Sequence, residues 1–158
     1  MEEYYCGMQI RADVVKAITA HARRDRPREC CGILLGTADE LVEAVAADNV
    51  ASEPLRSYEV SPADHIAQIR RCRDSAKPDE GGLKVVGVYH SHPHSAAVPS
   101  PTDLDQAYEE YVYLIVGPAD DSAPLEIRAY RLSGDRFVDL QLTITGGPEG
   151  PPLRPEAV

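Results

Sequence analysis

The apolar run LKVVGVYH, residues 83–90, constrains the fold of this chain more than any other stretch. It is rich in β-branched residues and lacks the alternation of a strand with one wet face, so it reads as a central strand buried on both sides. Such a strand needs neighbours in a sheet and helices packed against that sheet. It also ends in chemistry. Residues 89–103 read YHSHPHSAAVPSPTD, with three histidines in five positions followed by a loop, a serine and an aspartate.

The other segments supply the remaining elements. Val14, Val15, Ile18 and Ala22 recur at helical spacing, which predicts an amphipathic helix over 11–24 that stops before Pro27. CCGILLG (30–36) and LVEAVAADNV (41–50) predict a hairpin turning across Thr37 to Glu40, and a short strand is expected at Tyr58 to Val60. Ser61 as N-cap, Pro62 at the first helical position and Asp64 open a second helix with Ile66, Ile69 and Cys72 on one face. A third helix opens at Ser100. YVYLIVG (111–117), LEIRAYRL (125–132) and RFVDLQLTI (136–144) read as strands, the last two joined at Ser133, Gly134 and Asp135. The expected fold class is α/β in its α+β form, a single domain over residues 1–145 with a mixed central sheet flanked by helices. Residues 146–158, GGPEGPPLRPEAV, are expected to be a flexible tail because so much proline and glycine does not pack.

Charge narrows the function. A net charge of −10 over 158 residues repels polyphosphates and anionic lipid, so nucleic acid and membrane surfaces are not expected partners. The arginine runs at 23–28 and 70–73 read as solvated helix ends. MEEYYCGMQI has no apolar core of signal-peptide length, and no stretch approaches the roughly 18 apolar residues that span a bilayer. The expected location is cytoplasmic. Cys6, Cys30, Cys31 and Cys72 show no metal or redox spacing and are expected as reduced, packed thiols.

Residues two apart on a strand share a face, so His90 and His92 present both imidazoles on one side if the strand continues through them. Asp103 follows after enough chain to loop out and return with a carboxylate at the start of a helix. Two neutral imidazoles and a carboxylate leave one tetrahedral position on zinc open for water. Ser100 and Asp103 are also the two ends of a capping box, which needs no metal. The chain contains its own control, since Ser61-Pro62-Ala63-Asp64 has the same grammar and no histidine pair before it. The combination with His90 and His92 is what points to a metal. The same ligand set also suits iron in an oxygenase, although nothing in the sequence marks a cosubstrate site. A metal-activated water needs a base, and Glu29 stands just before a core strand where a side chain can be held rigidly. Position alone leaves it one acidic residue among many.

Taken together, Glu29, then His90-Ser91-His92-Pro93, then six residues, then Ser100-x-x-Asp103 resemble the JAMM, or MPN-plus, metalloisopeptidases without departure from the pattern. Weaker likeness extends from about Met8 to Leu132 and includes Asn49, Pro54 and Tyr58, which resemble the segment bordering the substrate groove. The resemblance implies a cytidine-deaminase-like JAMM/MPN fold and one zinc ion per chain on His90, His92 and Asp103. It also implies Glu29 as general acid/base and Ser100 as oxyanion stabiliser. The implied reaction is hydrolysis of the peptide or isopeptide bond after the C-terminal diglycine of a ubiquitin-like protein. The short chain resembles the stand-alone prokaryotic members that act on sulfur-carrier proteins, whose tail is expected to add to a sheet edge beside the zinc. The rival reading is a non-catalytic MPN-type scaffold, a class that usually lacks one or more ligands. His94 is expected to be a loop residue, and His21 and His65 to be surface or boundary residues.

Overall fold

A computed structural model describes residues 7–75, 82–118 and 124–146; the expected tail, apart from Gly146, lies outside the described residues. The elements in chain order are β1 (Met8–Arg11), α1 (Ala12–Asp25), β2 (Cys31–Gly36), β3 (Glu40–Ala47), α2 (Pro62–Ser75) and β4 (Lys84–Ser91). They are followed by α3 (Pro101–Asp105), β5 (Val112–Pro118), β6 (Leu125–Ser133), β7 (Arg136–Leu140) and β8 (Leu142–Thr145). Among the described residues, the eight strands form one mixed sheet in the order β7-β6-β5-β4-β2-β3-β1-β8. The β4–β5, β1–β3 and β1–β8 pairs are parallel, and the others antiparallel. The mixed α+β architecture is the one the sequence predicts.

One residue dictates the shape of that sheet. β7 and β8 stand at its opposite edges, yet only Gln141 separates them in the chain. Flat, eight strands would put those edges more than about 30 Å apart, while one residue spans roughly 3.5 Å. The sheet therefore curls until the end of β7 runs into the start of β8, and at that corner the Met8 amide of β1 donates to the Gln141 carbonyl at 2.9 Å. Inside the curl lies α1, whose Val14, Val15, Ile18 and Ala22 share one core with Leu34, Leu41, Leu114, Val116, Ala129 and Leu140 from five strands. Burying each such side chain contributes about 1.5–3 kcal/mol.

β4 is the central strand that the apolar run 83–90 predicts, paired on one side by β2 and on the other by β5. Tyr89 faces α1, while Val88 belongs to a separate core with Tyr113, Ile115 and Tyr130 on the outer face. α2 covers the outer face through Cys72, which packs with Ile33 and Leu35. Both sides of β4 are occupied, so this strand itself offers no open edge.

Several local expectations need correction. The run 136–144 is two strands on opposite sheet edges, a consequence of closure that no local pattern reports. β1 was not anticipated, because four residues between two parallel neighbours carry little periodic signal. Tyr58 to Val60 forms only an isolated bridge between Asn49 and Val60. In α2 the apolar face is largely open, with Ile66 48% and Ile69 44% exposed, since the helix touches the sheet mainly near its C-terminal end.

Candidate metal centre

β4 carries His90 out of the sheet on its outer face and ends at Ser91; the His92 amide still donates to the Val116 carbonyl at 2.8 Å, so the extended course continues as expected. Pro93 and the following loop then fold back over β5. Gly117 permits this, because a Cβ there would lie 2.7 Å from the Ser95 carbonyl oxygen and 3.1 Å from that of His92. Arg26 also holds the loop, donating from Nη2 to the Pro93 carbonyl at 3.1 Å.

The loop returns at Ser100, the N-cap of α3. Ser100 Oγ accepts from the Asp103 amide at 3.1 Å, and Asp103 Oδ2 accepts from the Ser100 amide at 2.8 Å, a complete capping box. Ser61 Oγ likewise accepts from the Asp64 amide, but Asp64 Oδ2 accepts from Asp48. The same four-residue grammar thus caps a helix twice, and only once does its carboxylate face histidines.

There the two readings of Asp103 coincide. His90 Nε2 and His92 Nε2 are 3.1 Å apart, and Asp103 Oδ2 lies 3.4 Å from the first and 3.5 Å from the second. Ligands at the 2.0–2.1 Å typical of zinc–nitrogen bonds stand about 3.3 Å apart around a tetrahedron. Three lone-pair atoms this close repel one another unless a proton or a cation lies among them, so the donor set fits zinc. His92 Nδ1 faces the Ala96 carbonyl at 2.9 Å, which favours the proton on Nδ1 and leaves the Nε2 lone pair directed at the triangle. All three residues are buried. Burial opposes charge on Asp103, but the adjoining His90 and His92 rings outweigh it and hold the carboxyl well below the usual range.

Glu29 arrives from the other side of β4. Ser91 Oγ accepts from the Cys30 amide at 2.8 Å, and the Ser91 amide donates to the Cys30 carbonyl at 3.0 Å. This pair of bonds fixes the backbone next to Glu29. Its carboxylate and the two imidazoles place ligand atoms within 4.8 Å of one another. Burial raises the Glu29 pKa to about 7, with His92 opposing the shift and Asp103 adding to it. The structure thus brings Glu29, His90, His92, Ser100 and Asp103 to one place.

Two further residues shape the site. Asn49 binds the Glu29 carbonyl, and Tyr58 stacks on His90. Both lie in the segment whose likeness to the family is noted above, although periodicity gives them no weight. Cys30 and Cys31 are buried, and burial raises their pKa values to about 11 and about 12, so they remain protonated thiols. His94 is exposed, as expected, and His65 is half-buried against the Tyr111 hydroxyl. His21 is a correction. It is only 5% exposed, with Nδ1 2.8 Å from the Tyr89 hydroxyl and Nε2 3.2 Å from Asp25 Oδ2.

A curled mixed sheet around a helix carries two histidines, an aspartate and a buried glutamate at one end of its central strand, a donor set suited to a metal ion. The family of prokaryotic homologs of the JAB domain matches residues 11–133, and the chain belongs to that family. It is 36% identical over 144 residues to a desampylase of Haloferax volcanii, covering 87% of this chain and 96% of that one. A CysO-cysteine peptidase of Mycobacterium tuberculosis is 35% identical over 125 residues, with 78% and 81% covered. In fold, a solution structure from Desulfitobacterium hafniense aligns with a TM-score of 0.75 at 21% identity, covering 89% of this chain and 94% of that one. One of these two relatives is named as a peptidase. No described helix is long and apolar enough to cross a membrane.

Proposed function

We propose that this protein is a zinc-dependent peptidase that cleaves the peptide or isopeptide bond after the C-terminal diglycine of a ubiquitin-like sulfur-carrier protein. The triangle of His90 Nε2, His92 Nε2 and Asp103 Oδ2, with edges of 3.1, 3.4 and 3.5 Å, carries the reading. These residues would hold one zinc ion per chain, which supplies Lewis acidity and makes water acidic near neutral pH. Glu29 takes the proton of the attacking water and delivers it to the departing nitrogen. Ser100 has its amide committed to Asp103, so its hydroxyl is the group that donates to the developing oxyanion. The catalytic domain is residues 1–145. Unpaired, buried Cys30, Cys31 and Cys72 suit the reducing cytoplasm.

The carrier class rests on the relatives, a desampylase and a CysO-cysteine peptidase, and on the chain's compactness around the site. The test is to incubate the protein with small ubiquitin-like carriers bearing C-terminal extensions, with and without a chelator, and weigh the products. A mass loss ending at diglycine and abolished by chelation is the expected result. Intact carriers at all zinc concentrations would instead favour a scaffold.

A further inference from the structure

His90 and His92 are held in different ways. The Ala96 carbonyl orients the His92 ring, whereas among the described residues no hydrogen-bond partner lies within reach of the buried His90 Nδ1. A ring that binds a metal through Nε2 carries its proton on Nδ1, and an acceptor there normally fixes its rotation. His90 has instead a flat neighbour: the Tyr58 ring lies parallel to it, with centroids 4.1 Å apart and planes 16° from coplanar.

Tyr58 is itself anchored. Asn49 Nδ2 donates to the Ser57 carbonyl at 3.0 Å, and Asn49 Oδ1 accepts from the Glu59 amide at 3.1 Å. Both neighbours of Tyr58 are thus clamped by one side chain, and the Asn49–Val60 bridge extends the clamp. The phenol face is electron-rich, and an imidazole that donates to a cation becomes electron-poor, so the stack strengthens when the site fills.

We propose that Tyr58 is a positioning residue for the metal site, its ring face replacing the missing Nδ1 acceptor and holding His90 in the ligating orientation. The inference rests on the metal assignment made above. Its test measures zinc affinity of metal-free protein by competition with a chromophoric chelator, for wild type, Tyr58→Phe and Tyr58→Leu. Far-UV circular dichroism and melting of the metal-free forms run in parallel. Tyr58→Phe should bind as wild type does, and Tyr58→Leu, which keeps apolar bulk without a flat face, should bind roughly 10–100-fold more weakly. Equal affinity in all three overturns the role of Tyr58 while leaving the metal site standing. Equal weakening in Phe and Leu assigns the effect to the hydroxyl and overturns the stack. Lower affinity in Leu with a matching loss of metal-free stability makes Tyr58 a general packing residue and also overturns it. Wild type that binds no zinc removes the metal assignment itself.

Discussion

The side-chain amide of Asn49 donates to the backbone carbonyl of Glu29 at 2.9 Å across a separation of twenty residues. The same Nδ2 reaches the Ser57 carbonyl, and Oδ1 accepts from Ala51 and Glu59. One half-buried amide therefore joins the residue before β2 to the loop that carries Tyr58.

Replacing Asn49 by Ala strips partners from four backbone groups, some of which water can re-solvate. The expected cost is about 2 kcal/mol, a fall in Tm of roughly 4–8 °C for a chain of this size, accompanied by reduced turnover. Thermal melts of the two proteins check it, and an unchanged Tm would show that the clasp is ornamental.

Glu29→Gln preserves shape and removes the proton acceptor. The variant should retain one zinc per chain by metal analysis and lose at least ~10²-fold in cleavage rate. Wild-type turnover would remove Glu29 from the chemistry.

His92→Ala should release the metal under dialysis that leaves wild type loaded. Asp103→Ala should do the same and also destabilise α3, because its carboxylate closes the capping box. Stoichiometric zinc in either variant would contradict the ligand set.

Ser100 combines a structural and a chemical task, and two substitutions separate them. Ser100→Ala should cost about 1 kcal/mol of stability through loss of the cap, and on the order of 10²–10³-fold in kcat. Ser100→Thr keeps a hydroxyl and should recover much of both. Full activity in Ser100→Ala would leave the residue a cap alone.

His21 predicts a pH effect away from the metal. Burial lowers its pKa from 6.5, with Asp25 opposing the shift, so the unfolded chain binds its proton more readily than the folded one. Its contribution to stability is complete above pH 6.5 and is lost as the pH falls from there toward the depressed folded value. His21→Gln should flatten the acid limb of stability against pH, measured by denaturant unfolding of metal-free protein. Identical slopes in the two proteins would refute it.

Local rules acted where the sequence was legible. Helical spacing placed α1 within one residue, the Val85–Val88 run marked the buried strand, and Ser100 with Asp103 announced a helix start. The chemistry of the candidate site was likewise written in its letters, because strand alternation and a cap each put a side chain on a known side of a short segment. Convergence was not. Glu29 reaches the histidines only because β2 and β4 pair in one register, with Cys31 opposite His90. Gln141 separates two strands only because the sheet closes, and His21 is buried only because that closure surrounds α1. Tyr58 meets His90 through Asn49, a contact between segments that share no pattern. Periodicity reports what one residue does relative to its near neighbours, whereas register and closure are settled by the free energy of packing the whole chain.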